Sequence, residues 1–144
     1  MSTRSRIGLE MPNKHIKSIY CHFDGYPEGV GETLKKHYTT PRAVEALLAL
    51  GDLSILGEFY DKTLAKKHWR WLDKGEEMTD SDKKRLEKMT VPYTDRGEEK
   101  NEPHDDENEA RFMERLGDSW EEYGYILKTE PDGSYKWYIY EANH

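Results

Sequence analysis

Tyr123-Gly-Tyr-Ile-Leu-Lys-Thr129 and Tyr135-Lys-Trp-Tyr-Ile-Tyr-Glu141 are the two stretches that decide the fold class. Both are rich in aromatic and β-branched residues, which strands favour. Pro131-Asp-Gly-Ser134 lies between them, and Asp132-Gly133 suits a tight hairpin turn. The spacing predicts an antiparallel hairpin. Strand side chains alternate between faces, so Tyr135, Trp137 and Ile139 share one face, and Tyr138 and Tyr140 the other. With both faces apolar, the last strand reads as central or covered on both sides.

A second hairpin is predicted near the N-terminus. Over residues 5–11, Ile7, Leu9 and Met11 alternate with Arg6, Gly8 and Glu10. Pro12-Asn13-Lys14 is a turn signal, and residues 16–23 form the returning strand. The simplest assembly is an α+β fold. Its sheet is antiparallel, of about four strands from the N- and C-terminal hairpins, with helices packed on one face. No internal repeat argues otherwise.

The helices lie in the middle of the chain. Val30, Leu34 and Tyr38 recur at helical spacing, which predicts a short helix over 32–38. Thr40-Pro41 is a strong helix start, with Thr as N-cap and Pro at the first helical position. That helix runs to Leu50 with Val44, Leu47 and Leu48 inward, and Gly51 stops it in the left-handed conformation. Residues 58–74 read as helical, with Phe59, Leu64 and Leu72 apolar. Thr79-Asp-Ser-Asp82 resembles a capping box and opens a charged surface helix to Met89. A last short helix is expected over 110–118, with Phe112, Met113 and Leu116.

The chain has 144 residues, the length of one ordinary domain, and is read as a single domain over 1–144. Its hydrophobic content is only 35%, but 4 Trp, 10 Tyr and 3 Phe can fill a small core. The net charge of −7 argues against direct non-specific DNA binding, which needs cations at phosphates. No basic run exceeds a few residues. One cysteine, Cys21, allows no internal disulfide and no Cys-only zinc site, and points to a reducing compartment. No apolar run is long enough to span a bilayer, and Met1–Arg6 leads into no signal-peptide core. Residues 95–109 hold eight acids and two Lys/Arg, with almost nothing apolar; such a segment is expected to be a mobile loop.

Several clusters could carry chemistry. Cys21-His-Phe-Asp-Gly-Tyr-Pro-Glu-Gly-Val-Gly31 falls where a strand meets a helix. As a ligand loop, its glycines would admit a close backbone approach, and His22, Asp24, Tyr26 and Glu28 would surround the ligand. As a shaped turn, glycine and proline would only set the backbone. The spacing matches neither a dinucleotide fingerprint nor a Walker loop. Cys21 and His22 point to opposite faces of one strand and cannot pair, so Cys21 reads as a buried, inert thiol.

The six histidines show no metal-ligand spacing, and no metal or cofactor is expected. His68-Trp69-Arg70-Trp71 mixes base and aromatic residues, which suits stacking or partner recognition as well as packing. On a helix, Trp69 and Trp71 stand about 200° apart, so both cannot enter one core face. Asp95 and Arg96 open the acidic run, either as a solvated turn or reaching across the sheet. The acidic run itself is a solvated loop or a surface that meets a basic partner.

Thr3-Arg4-Ser5-Arg6-Ile7-Gly8, the segment Ile16 to Gly31, His37-Tyr38 and Leu50-Gly-Asp-Leu-Ser54 resemble a group of small proteins encoded by bacteriophages and prophages. The Asp95-Arg96-Gly97-Glu98 turn is similar too. The likeness covers about the first 57 residues. In that group a tryptophan often precedes Asp-Gly-Tyr-Pro, where this chain has Phe23. The resemblance assigns no residue a role. It implies an accessory gene expressed in a bacterial cytoplasm, and such genes commonly encode inhibitors of host or defence machinery.

Three expectations follow. The first is a non-enzymatic phage accessory protein that binds and inhibits a bacterial host or defence component, in the manner of an anti-CRISPR. The second is a small-ligand binder that sequesters a nucleotide signal. The third is a small hydrolase using His22 and Asp24. The two-faced aromatic strand also leaves room for a homodimer.

Overall fold

Both expected hairpins form, but they join in an unexpected direction. The computed structural model describes residues 3–142. β1 (Ser5–Glu10) pairs antiparallel with β2 (Ile16–Phe23), and β6 (Tyr123–Thr129) pairs antiparallel with β7 (Tyr135–Glu141). The hairpins meet through β1 and β6, which run parallel, with Ser5 opposite Tyr123 and Leu9 opposite Leu127.

Three short strands complete the sheet. β3 (Leu53–Ile55) runs parallel to β2, and β4 (Val91–Pro92) runs antiparallel to β3. β5 (His104–Asp106) pairs antiparallel with the first half of β2. β3 and β5 therefore share one edge of β2: β5 takes Ile16 to Ser18 and β3 takes Cys21 to Phe23. The four-stranded antiparallel sheet is thus replaced by a seven-stranded mixed one, in the order β4-β3-β2-β1-β6-β7 with β5 beside β2. Alternating side chains show which residues form a strand; they say little about which edge it joins or in which direction.

The helices also cover both faces rather than one. On the first face, Ile7, Leu9, Ile19, Cys21, Tyr125, Leu127 and Trp137 pack against α1 (Glu32–His37) and α2 (Pro41–Leu48) through Leu34, Val44, Leu47 and Leu48. Thr40 caps α2 as expected, its Oγ1 accepting the Ala43 N–H at 3.2 Å. Trp137 donates its indole N–H to the Tyr38 carbonyl at 2.8 Å. On the opposite face, α5 (Glu109–Asp118) packs Phe112 and Leu116 against Ile16 and Ile126. Gly124 makes room there, because a Cβ would lie 2.7 Å from Leu116 and 2.8 Å from Phe112.

α3 (Lys62–Lys74) and α4 (Asp80–Leu86) form a smaller lobe. Leu64, Met78 and Met89 are its buried residues. Asp61 and Thr79 cap these helices by accepting from Leu64 and Asp82 backbone N–H groups. The lobe is tied to the body by Thr90, whose Oγ1 accepts the Gly57 N–H at 2.8 Å, and by Tyr38, which donates to the Gly57 carbonyl at 2.9 Å.

The acidic stretch 95–109, read from composition as a mobile loop, contains the end of a 3-10 turn (Tyr93–Arg96), all of β5 and the start of α5. Among the described residues, no helix is long and apolar enough to cross a membrane.

Candidate functional site

The face of the sheet that α5 covers only in part is built by strand alternation. On β2, Ile16, Ser18, Tyr20 and His22 share this face, opposite Ile19 and buried Cys21. Arg6 lies across from Tyr20, and the same register sets Arg4 beside His22. β3 runs parallel, with Cys21 opposite Leu53 and Phe23 opposite Ile55, so Ser54 lies alongside His22 on the other side. Arg4, His22 and Ser54 thus form one row across three strands. Arg6, Tyr20 and Asp52 form the next.

Both rows are held by polar contacts. Tyr20 and His22 meet at 2.6 Å between the phenol oxygen and Nδ1. Burial pushes the Tyr20 phenol up to about 12, against the pull of the Arg4 guanidinium, so it stays protonated at neutral pH. Its O–H can donate to Nδ1, and that tautomer carries the ring N–H on Nε2. Arg96 reaches over β3 to Ser54, with 3.5 Å between Nη1 and Oγ, and lies 5.4 Å over the Tyr93 ring.

In the second row Arg6 is buried and grips Glu121, itself fully buried, through Nε at 2.9 and 3.1 Å. Burial pushes the Glu121 carboxyl up more than Arg6 pulls it down. Arg6 also donates to Ser18 at 3.2 Å.

Asp24, Tyr26 and Glu28 do not join His22. They belong to the turn that leads through a π-helical segment (Pro27–Gly31) into α1. Here the glycines admit the chain itself. A Cβ on Gly25 would lie 2.6 Å from the Thr3 carbonyl oxygen, and one on Gly29 2.4 Å from the Asp24 carbonyl oxygen. Tyr125 donates to the Gly25 carbonyl at 2.5 Å. The turn's shape thus follows from internal packing. Cys21 is fully buried, and that burial pushes its thiol up to about 12.

The other four residues singled out in the sequence, His68, Trp69, Asp95 and Arg96, come together at α3. A cleft of about 450 Å³ runs between α3 and the 3-10 turn, lined by Tyr60, Lys62, Lys66, Trp69, Arg70 and Asp95. A second cleft, about 260 Å³, shares Trp69 and Asp95 and adds His68, Leu72 and Arg96. Arg96 therefore joins this groove to the polar rows.

Asp95 sits at the floor of the groove. Its Oδ1 accepts the Tyr60 O–H at 3.1 Å, while its buried Oδ2 has no hydrogen-bond partner among the described residues. Burial raises its carboxyl above the ordinary range; the Tyr60 bond opposes this.

α3, the longest helix, hides little of its surface. Leu64 is its only buried residue. Trp69, Trp71 and Leu72 are 49%, 39% and 59% exposed. His68 stacks on Trp71 at 6.0 Å, and Lys83 of α4 lies 6.0 Å over the Trp71 ring. The helix also carries Lys62, Lys66, Lys67, Arg70 and Lys74 against a single acid, Asp73. Scanning for runs of basic residues misses this patch, because apolar residues interrupt it; helical spacing exposes it.

Comparison of the chain with protein-family models, with curated proteins and with solved structures returns no match.

Proposed function

We propose that this chain is a non-enzymatic binding protein that acts by occupying a bacterial protein, the accessory-inhibitor role that its phage-type resemblance suggests. The observation behind it is the face of α3. A helix in a water-soluble body normally turns its apolar stripe inward. α3 instead leaves Trp69 and Leu72 exposed beside a cleft with a basic rim, and a second tryptophan, Trp71, exposed outside that cleft. Tryptophan and arginine are the residues that most often dominate binding energy at protein interfaces. The rim of Lys62, Lys66 and Arg70, on a chain of net charge −7, favours an acidic partner surface with an apolar projection that fits against Trp69. A bacterial cytoplasm as the place of action belongs to the same proposal.

The test is affinity capture from bacterial lysate with immobilised wild-type protein and with Trp69→Asp and Lys66→Glu/Arg70→Glu variants. Trp69 is half exposed, so the fold should survive, which circular dichroism would check. The reading expects a specific protein that the wild type retains and both variants lose. Equal recovery by all three proteins, or no specific recovery at all, would overturn it.

A further inference from the structure

We propose that the row Arg4–His22–Ser54, closed at one end by Arg96, is a binding site for the phosphate group of a small phosphate monoester. The proposal rests on a row of residues outside the α3 surface assigned to the protein partner, although the cleft beside the row shares Trp69 with that surface.

The charge arrangement points to an anion. Arg6, Arg70, Arg85, Arg111 and Arg115 each meet a carboxylate. Arg4, Arg42 and Arg96 make no ion pair among the described residues, although the chain has 29 acids for 22 Lys/Arg, and of these three Arg42 lies apart on α2. Arg4 and Arg96 are exposed; strand register puts Arg4 at one end of the row, and the contact of Arg96 with Ser54 puts its guanidinium at the other. Between them, His22 has its Nδ1 engaged by Tyr20, and its Nε2 has no hydrogen-bond partner among the described residues. The row therefore offers two guanidinium groups and an imidazole edge, all on one side of a rigid sheet. Guanidinium forks match the oxygens of phosphate in pairs, and two of them balance a dianion.

The surroundings keep these donors free. In the adjoining row the Asp52 carboxylate is engaged at both oxygens, by the Tyr20 N–H and by the Asn101 side-chain amide, each at 3.0 Å. Glu121 is engaged by Arg6. Tyr93 supports the Arg96 guanidinium from beneath, which fixes its position over β3. The organic part of an ester has somewhere to go. The cleft lined by His68, Trp69, Leu72 and Arg96 begins at Arg96 and offers an aromatic wall. A monoester fits this layout, because its single substituent leaves three phosphate oxygens for the row.

The test is isothermal titration of the full chain with inorganic phosphate, with AMP and with adenosine. The proposal expects saturable binding of AMP, at least as tight as that of inorganic phosphate, and none of adenosine. Arg4→Gln, His22→Ala and Arg96→Gln should each weaken AMP binding by roughly tenfold or more, as losing one charge-assisted hydrogen bond does. Arg42→Gln, at an exposed arginine of α2, should change nothing. Thermal midpoints near that of the wild type would show that the variants fold. No saturable binding of AMP, adenosine binding as tightly as AMP, or equal weakening by Arg42→Gln would overturn the site.

Discussion

The Asp52 carboxylate accepts the Tyr20 backbone N–H at 3.0 Å, at the point on β2 where pairing passes from β5 to β3. Two short strands cannot cover one long edge without a break, and a side chain fills this one. Asn101 donates to the other Asp52 oxygen and so ties down the segment that leads into β5. Asp52→Ala should destabilise the protein by about 1–3 kcal/mol, because it leaves a part-buried N–H unpaired. Asp52→Asn keeps an acceptor and should cost less. Hydrogen exchange would show the Tyr20 amide opening in the alanine variant and staying protected in the asparagine one.

Arg6 and Glu121 make a buried ion pair. Removing one partner strands a charge, so Glu121→Ala should cost about 3–5 kcal/mol. Replacing both, as in Arg6→Met with Glu121→Leu, should recover most of that loss, because apolar groups of similar volume need no partner. Chemical denaturation of both singles and the double would measure it. A double variant as unstable as the sum of the singles would show that the pair is not the coupled unit its geometry indicates.

Asp95 should give the stability a pH dependence of definite sign. Its carboxyl is raised by burial, so the folded protein holds the proton more tightly than the unfolded chain does. The stability it contributes is whole below the unfolded value near 4 and is lost as pH rises through the higher folded value. Asp95→Asn has no charge to bury. Its thermal midpoint should gain on that of the wild type between pH 4 and pH 7, and a constant gap would locate the pH dependence elsewhere.

Gly25 and Gly117 make a matched pair of tests. Gly25→Ala forces a methyl group to within 2.6 Å of the Thr3 carbonyl oxygen, against backbone that cannot easily yield. It should cost about 1–3 kcal/mol, as overpacking does. Gly117 lies within α5 and has nothing within 4 Å of an added Cβ. Gly117→Ala should stabilise by about 0.5–1 kcal/mol through helix propensity. Thermal melts of the two variants would separate these outcomes.

The strands of 16–23, 123–129 and 135–141 were legible residue for residue, because apolar alternation and aromatic density mark long strands. β3, β4 and β5 were not, since two or three residues carry no period to detect. The parallel contact of β1 with β6 depends on backbone edges, which leave little trace in side chains. The site was half legible. His22 and Arg96 stood out as polar residues beside glycines. Arg4, Tyr20 and Ser54 did not, because they become neighbours only once the registers of three strands are fixed. The bareness of α3 was hidden for a related reason: an apolar residue such as Leu72 carries no sign of its exposure until its neighbours are placed.

The parallel contact that joins Ser5 to Tyr123 also dictates an order of events during synthesis. A ribosome delivers β1 and β2 long before β6, so the first hairpin emerges with one edge bare and with Ile7, Leu9 and Ile19 awaiting their cover. Vectorial folding can bring α1, α2 and β3 onto β2 early, but β1 keeps its open side until the final hairpin arrives. An unpaired strand edge held open through most of translation invites pairing with other nascent chains.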